Sequence, residues 1–579
     1  MASHWDDSAR VSAISQARLW DCGYVDMTVE SLFQSTSFSS FRRMKVRSRS
    51  GFLFVAFALS AFLLASILTV AGQPHPMDPN APPVELPAPV NVVYSFSPAT
   101  NYVPSLGYTN LEGAFCTANL IQDTDGELYG VAPSGGDFGG GTVFSLNTNG
   151  NDFTVLHTFT ASPFRSGNDD GNKPTGLILG LDGRLYGTTS QGGTNGFGAI
   201  FKLNTDSTGF TNLHSFAAND GEYPQGGLVQ GPDGTLYGTA QDGGTNGSGT
   251  VFSVRPDGSD FTVLYNFTPL NSDTNTDGTQ PFGGLITSGD GTLYGTARYG
   301  GPSGSIRPIL QQPIGSGTIF SLKTNGAGFT VLHAFDRFSG DFITQTNRDG
   351  ASPYAALVFG NDGKLYGTAP EAGAGYSGTI FSLGTNGSNY AVLHAFNFLP
   401  PNFSHSPGYG LYPYGGLIQG NDGIFYGVAS GGGLVPNGTR FCGTIYRLNP
   451  DGSGLVLLHS FAGMASFDNT NADGANPNAT LLKANDGKFY GMTSAAGING
   501  CGTVFSFAPP VVLQVAASNG FVILTWPASA TNFVLETSDT LSASSVWTPL
   551  TNNISTVSNN FTLTRSANST AAFFRLYQP

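Results

Sequence analysis

Asp233-Gly-Thr-Leu-Tyr-Gly238 is the stretch from which the architecture follows, because close copies of it stand at residues 125–130, 182–187, 290–295, 362–367, 422–427 and 486–491. In each, an Asp-Gly turn signal feeds a short run of alternating side chains, which is how a β-hairpin begins. Working outward, every copy lies inside a longer unit of four strand-like pieces. A is an apolar run after a proline (Pro224-Gln-Gly-Gly-Leu-Val-Gln230), B is the Leu-Tyr-Gly-Thr run, C is Gly-Thr-Val-Phe and D is Val-Leu-His-x-Phe. Piece C recurs at 142–144, 199–201, 250–252, 318–320, 379–381, 444–446 and 503–505, and piece D at 155–159, 212–216, 263–267, 331–335, 392–396 and 457–461. The seventh unit therefore breaks off without a D piece, while Val92-Val-Tyr-Ser-Phe96, ahead of the first unit, has the D pattern.

That mismatch predicts a ring in which the N-terminal strand completes the last sheet and pairs its open edge. The expected fold is all-β: a seven-bladed β-propeller over residues 91–507, closed by the N-terminal strand. A linear solenoid, the competing repeat architecture, does not require a lone D strand at one end to match a vacancy at the other. Units such as Gly227-Leu-Val-Gln-Gly-Pro-Asp-Gly-Thr-Leu-Tyr-Gly-Thr-Ala240 and Gly249-Thr-Val-Phe-Ser-Val254 resemble the GloVer tandem-repeat family of exported bacterial proteins, over roughly residues 110–507. The resemblance implies an exported repeat protein and carries over no catalytic residue. Kelch repeats share the Gly-Gly doublets, but no Trp occurs between residues 91 and 507, which argues against kelch and WD40 repeats.

Composition agrees with a turn-rich β protein: 80 of 579 residues are Gly and 11% are charged. A formal charge of −14 opposes attraction to nucleic acid or anionic lipid. Met44 is followed by Lys45, Arg47 and Arg49, an apolar run over 51–70 and a small-residue exit at Thr69-Val-Ala-Gly72. Residues 44–72 read as a cleaved export signal or as a retained N-terminal membrane anchor, being long enough to span. Either places the rest outside the cytoplasm, secreted or in the cell envelope, with the membrane touched only through this segment. Residues 1–43 are then expected to precede the functional start, as a leader or as the product of a start site placed too early, and 73–90, with seven prolines, to be an extended linker. Residues 510–579, with runs such as Gly520-Phe-Val-Ile-Leu-Thr-Trp526 and Ala572-Phe-Phe-Arg-Leu-Tyr577, read as a small immunoglobulin- or fibronectin-III-like β-sandwich. Cys442 and Cys501 hold the same repeat position in neighbouring units, so an inter-repeat bridge between them is one option and two small buried residues the other.

Loop lengths point to a functional face. The C–D spacing is constant (Phe252 to Leu264 in one unit), whereas B–C lengthens from Tyr294 to Phe320 and from Tyr426 to Tyr446, and D–A also varies. B–C and D–A connections emerge at the same end of an up-and-down sheet, so one face is scaffold and the other carries the variation, as on a binding surface. The expected contact residues are Tyr299, Arg307, Phe403, His405, Tyr409 and Tyr412, and the expected partner is an extracellular protein or glycan, bound by a monomer. Acidic residues ending the D–A loops (Glu112, Asp170, Asp220, Asp277, Asp349 and Asp473) are expected near the channel mouth. Asp273, Asn275 and Asp277 have calcium-loop spacing, but Gly284 stands where a twelfth-position acid belongs, and Asp-Gly turn formation explains them as well. His157, His214, His333, His394 and His459 share one position of D, with Tyr94 and Tyr265 in the other copies, so packing or hydrogen bonding is expected of them and not metal ligation. No nucleophile–base pair or isolated carboxylate pair is visible, which favours a non-enzymatic binder without a cofactor. The alternatives are a polysaccharide-active lyase or glycosidase, whose carboxylates would converge from different blades, and a structural envelope protein.

Overall fold

The computed structural model describes residues 90–577 apart from 99–100, 104–106, 272–273, 304–305, 308–311, 314, 338–346, 398–409, 434–441, 464–469, 512, 519–520, 528–532, 540–545, 558–559 and 567–572. The leader, the signal or anchor segment and almost all of the linker lie outside the described residues. Among those described there is no helix, and none long and apolar enough to cross a membrane.

Each repeat folds as an antiparallel sheet in the order A-B-C-D, for example Leu228–Gln230, Leu236–Ala240, Thr250–Val254 and Thr262–Asn266. Strand A is shorter than the sequence suggests, two or three residues in most sheets, because the glycines after its proline lie against neighbouring backbone. A Cβ on Gly226 would sit 2.6 Å from the Gly283 carbonyl oxygen of the next sheet. The A strands are thus the crowded inner edge. The Leu-Tyr-Gly run is explained by what surrounds it. Leu236 packs toward the preceding sheet and Tyr237 toward the following one, as alternation in a strand buried on both faces requires. Gly238 lies under the ring of Phe252, which a Cβ would meet at 2.5 Å. The same contact recurs from Gly130 under Phe144 to Gly491 under Phe505.

Among the described residues seven such sheets follow one another, and apolar clusters fill the space between each and the next. A further cluster joins Tyr490, Met492 and Val504 of the last sheet to Leu120, Leu128 and Phe144 of the first. Strand D of the last sheet is Asn91–Ser95, antiparallel to Thr503–Phe507 with Val92 opposite Phe505 and Tyr94 opposite Val504. The N-terminal piece therefore fills the vacancy left in the seventh repeat, in a propeller-like arrangement.

The constant C–D turn also has a structural cause. Every D strand carries a bulge just before its His or Tyr, as at Leu213 between His214 and Asn212. Gly258, in the C–D turn of the next sheet, lies against that bulge, where a Cβ would be 3.0 Å from the Leu213 carbonyl oxygen. Its φ of +88° suits glycine. Lengthening the turn would lift it off its neighbour, so this end of the sheets is fixed by packing.

Toward the C-terminus, strands between Gln514 and Tyr577 form one sheet of four and one of three. They share a core of Leu524, Trp526, Leu535 and Leu563.

Candidate functional site

The end of the sheets where D–A and B–C connections emerge has a repeating frame and a non-repeating inner rim. In the frame, the acid of each D–A loop turns back onto strand D. Asp349 Oδ2 pairs with His333 Nε2 at 2.9 Å, Asp473 with His459 at 2.8 Å, Asp220 with His214 at 3.2 Å and Asp170 with His157 at 3.5 Å. Asp277 accepts from Tyr265 Oη at 2.8 Å, and Glu112 bonds Tyr94. The same carboxylates accept the backbone N–H three residues past the His or Tyr, as Asp473 does from Ala462 and Glu112 from Ser97. The expectation that these acids line the channel mouth is therefore corrected. Their partners sit on the D strand, the edge opposite the crowded A strands, because a half-buried carboxylate is held where donors await it.

The D-strand rings complete an inter-sheet latch. His157 stacks on Phe210 at 3.8 Å, His214 on Phe261 at 3.6 Å, His333 on Tyr390 at 3.6 Å and Tyr94 on Phe153 at 4.3 Å, each time from one sheet to the next. Burial drives the His394 imidazole down to about 4. The loop with calcium-like spacing belongs to this frame. Asn275 Oδ1 accepts from Gly278 and Gly301 N–H, and its Nδ2 donates to the Thr268 and Gly278 carbonyls. Asn110, Asn168, Asn347 and Asn471 make the corresponding bonds in other sheets. Asp277 accepts from Tyr265, from Thr268 N–H and from Thr268 Oγ1. Asp273 lies outside the described residues, and among those described no cluster of three or more His, Cys, Asp or Glu could hold a metal ion.

The inner rim begins with strained backbone. Phe115, Lys173, Tyr223, Gln280, Ser352, Tyr412 and Asn476 all have φ between 54° and 59°, and all but Phe115 precede a proline. The left-handed region is unfavourable for such residues, and doubly so before proline. What holds them is a repeated hydrogen bond to the preceding sheet, such as Tyr223 N–H to the Phe197 carbonyl at 2.9 Å and Tyr412 N–H to the Ser377 carbonyl at 3.0 Å. Backbone fixed in this way aims whatever side chain stands there.

In the third to fifth sheets the two residues ending strand B depart from the small pairs of the sixth and seventh, and in the fourth to sixth sheets the residue after the proline is aromatic. Arg165 Nη2 pairs with Glu222 Oε2 at 3.0 Å, and its Nε donates to Tyr223 Oη at 2.9 Å. Asp242, beside Glu222, accepts from Gln280 Nε2 at 2.9 Å and Gln241 Nε2 at 3.1 Å. Arg298 follows Gln280 through a backbone bond, and its guanidinium lies over Tyr299 at 4.6 Å, Tyr354 at 5.3 Å and Phe282 at 5.8 Å. Its Nη2 is 4.0 Å from Glu371 Oε1, and its shielded Nε has no hydrogen-bond partner. Ser352 Oγ donates to Glu371 Oε2 at 2.9 Å. Along the inner strands Phe282, Tyr354 and Tyr414 form an aromatic arc, with centroids 4.0 Å and then 5.2 Å apart.

Burial sets the electrostatics of this rim. It pushes the Asp242 carboxyl up to about 6, more than Gln280 and Arg165 pull it down, and raises Glu222 against the opposing charge of Arg165. It also pushes the Tyr354 phenol up to about 12. Acids held above their ordinary range by burial make this rim the candidate site.

Of the residues expected to make contact, Tyr299 and Tyr412 belong to this rim. Phe403, His405, Tyr409 and the side chain of Arg307 lie outside the described residues. Reading the sequence missed Glu222, Asp242, Phe282, Arg298, Tyr354 and Glu371, because long loops drew attention away from the short segments between invariant glycines. The signal was there: the pair before the Gly doublet or its variant is Ser190-Gln191, Ser430-Gly431 or Ser494-Ala495 in three repeats but Gln241-Asp242, Arg298-Tyr299 and Pro370-Glu371 in three successive ones.

The sequence profile of the Gloeobacter/Verrucomicrobia repeat matches residues 163–345, 341–466 and 402–522. The chain belongs to the Gloeobacter/Verrucomicrobia repeat family. No curated protein matches it. Solved structures similar to this family member include virginiamycin B lyase from Staphylococcus aureus, at 11% identity and TM-score 0.39 over 72% of this chain and 98% of that one. Oligogalacturonate lyase from Vibrio parahaemolyticus is similar at 12% identity and TM-score 0.40 over 73% and 99%. The extracellular domain of a putative one component system from B. thetaiotaomicron is similar at 10% identity and TM-score 0.40 over 84% and 55%. Likenesses of that size say nothing about what this member of the family does.

Proposed function

We propose that the repeats act as a closed seven-bladed propeller that binds a glycan at the inner rim of the third to sixth sheets, outside the cytoplasm and without chemical change to the ligand. The supporting observation is the breaking of repeat symmetry there. Phe282, Tyr354 and Tyr414 form a continuous arc, and Asp242, Gln280, Arg298 and Glu371 stand beside it. Flat aromatic faces stack on the C–H faces of a pyranose, while carboxylates, amides and a guanidinium bond its hydroxyls. That mixture of apolar lining with a few fixed polar groups is what a small-ligand site needs. A chain of this charge, −14, is unsuited to nucleic acid. Calorimetric titration of the whole chain with a panel of oligosaccharides tests the reading. Arg298→Gln and Tyr223→Ala should each weaken the best ligand about tenfold or more, roughly 1.4 kcal/mol, with the melting temperature unchanged. Binding that survives both changes would sink it, as would a panel that binds nowhere while an extracellular protein is retained. The export reading is tested separately, by finding the mature N-terminus near Gln73 outside the cytoplasm.

One observation favours a second reading. Asp242, at about 6, and Glu222, also raised by burial, stand on paired backbone, and a raised carboxyl is what a general acid needs. As a lyase or glycosidase the rim would release new sugar ends from a polysaccharide, and Asp242→Asn would abolish that release while keeping binding.

A further inference from the structure

The seam between the last and first sheets is chemically unlike the other six. At each of those six, a glycine of strand C lies against the proline that opens strand A of the next sheet, as Gly249 does against Pro281 and Gly443 against Pro477. The residue before that glycine accepts a hydrogen bond from the residue before that proline, as the Ser248 carbonyl does from Gln280 N–H at 3.0 Å. At the closing seam the same bond runs from Phe115 N–H to the Cys501 carbonyl at 3.3 Å, but the proline position is taken by Cys116. Cys116 and Cys501 are both buried and belong to one apolar cluster, whereas Cys442 belongs to the neighbouring one. Cys501 is close enough for its thiol to disfavour ionisation of Cys116, whose thiol burial already pushes up. The Cys442–Cys501 option raised by the repeat positions is thus replaced: the two are not bridged and lie in different clusters, and the cysteine that shares a cluster with Cys501 is Cys116.

We infer that Cys116 and Cys501 are a seam-locking pair that oxidises to a disulfide, joining the first sheet covalently to the last. The oxidant is a disulfide reagent such as oxidised glutathione. One protein thiolate attacks it, displaces a glutathione thiolate and forms a mixed disulfide. The second protein thiolate attacks the protein sulfur of that intermediate and expels the other glutathione. Two protein thiols thereby lose two electrons and two protons, which appear on two molecules of reduced glutathione. Both sulfurs are shielded in the closed ring, so the bridge forms while the seam is open, during folding. Once formed, it spans nearly the whole repeat array. This goes beyond the ligand-binding reading and does not depend on it, because the redox reagent is supplied.

Refolding the full chain in a defined glutathione mixture, blocking free thiols and mapping the peptides tests the inference. The expected product is a peptide pair linked through Cys116 and Cys501, retained in a Cys442→Ala variant. Adding reductant should lower its melting temperature by about 3 °C, and should not move that of Cys501→Ala. Free thiols at both positions in the refolded protein, or linkage of either to Cys442 or Cys22, would overturn it.

Discussion

Asp242 is the residue at which the fold and the proposed ligand site make opposing demands. Its carboxylate is half-buried beside Glu222 and takes its hydrogen bonds from two glutamine side chains, so burial raises it to about 6 from an ordinary value near 3.8. The folded state then holds a proton that the unfolded state has released between those two values. Its effect on stability is therefore favourable below about pH 4 and is lost as pH rises through 6. At neutral pH the ionised side chain is a cost to the fold, which the proposed ligand site would account for. Asp242→Asn keeps the shape and removes the charge. Urea unfolding at pH 7 should show the variant more stable by about 2 kcal/mol, with the advantage disappearing by pH 4. A variant less stable than the parent at pH 7 would show that the carboxylate is a scaffold element.

Strand D is the element that ties sheet to sheet, and it titrates in the opposite sense. Its bulge lets both a leucine and the following His or Tyr meet the next sheet, and the ring stacks there while an acid of the same repeat pins it. The fifth repeat has Tyr409 in place of that acid, and burial leaves the His394 imidazole at about 4. A histidine lowered on folding contributes stability that is complete above its unfolded value near 6.5 and is lost as pH falls toward 4. His394→Tyr puts in the side chain that the same position carries at Tyr94 and Tyr265, and should remove about 2 kcal/mol of the stability lost between pH 7 and pH 4.5. Equal acid sensitivity in parent and variant would refute this. Much of the element level was legible in the sequence, because Leu-Tyr-Gly and Val-Leu-His-x-Phe alternate in a way only a sheet buried on both faces satisfies. The single histidine position likewise disclosed a structural role. The rim was not legible, because Arg298 and Glu371 are 73 residues apart and meet only when sheets are stacked. The direction of the D–A acids was misplaced for the same reason, since spacing along the chain does not reveal whether a turn residue bends toward strand A or back to strand D.

At the scale of the whole molecule, the first strand among the described residues belongs to the last of the seven sheets. Asn91–Ser95 supplies one edge of the seventh sheet, Phe96 is fully buried between that sheet and the first, and Tyr94 stacks on Phe153. Side-chain bonds cross the same seam from Thr480 N–H to Asn119 Oδ1 and from Asn485 N–H to Gln122 Oε1, both at 2.8 Å. Removing residues up to 98 strips the D strand from Thr503–Phe507 and leaves a row of unpaired N–H and C=O groups beside exposed aromatic surface. Losing the buried Phe96 alone should cost about 4 kcal/mol. The truncated chain should melt well below the parent and self-associate through the bared edge, seen as a concentration-dependent mass in light scattering. A synthetic peptide of residues 90–98 should restore both the mass and the melting temperature, since the vacancy accepts the strand whether or not it is covalently attached. A truncated chain that stays monomeric and melts with the parent would mean that the seam is held by side-chain packing alone and that pairing by the N-terminal strand adds nothing to it.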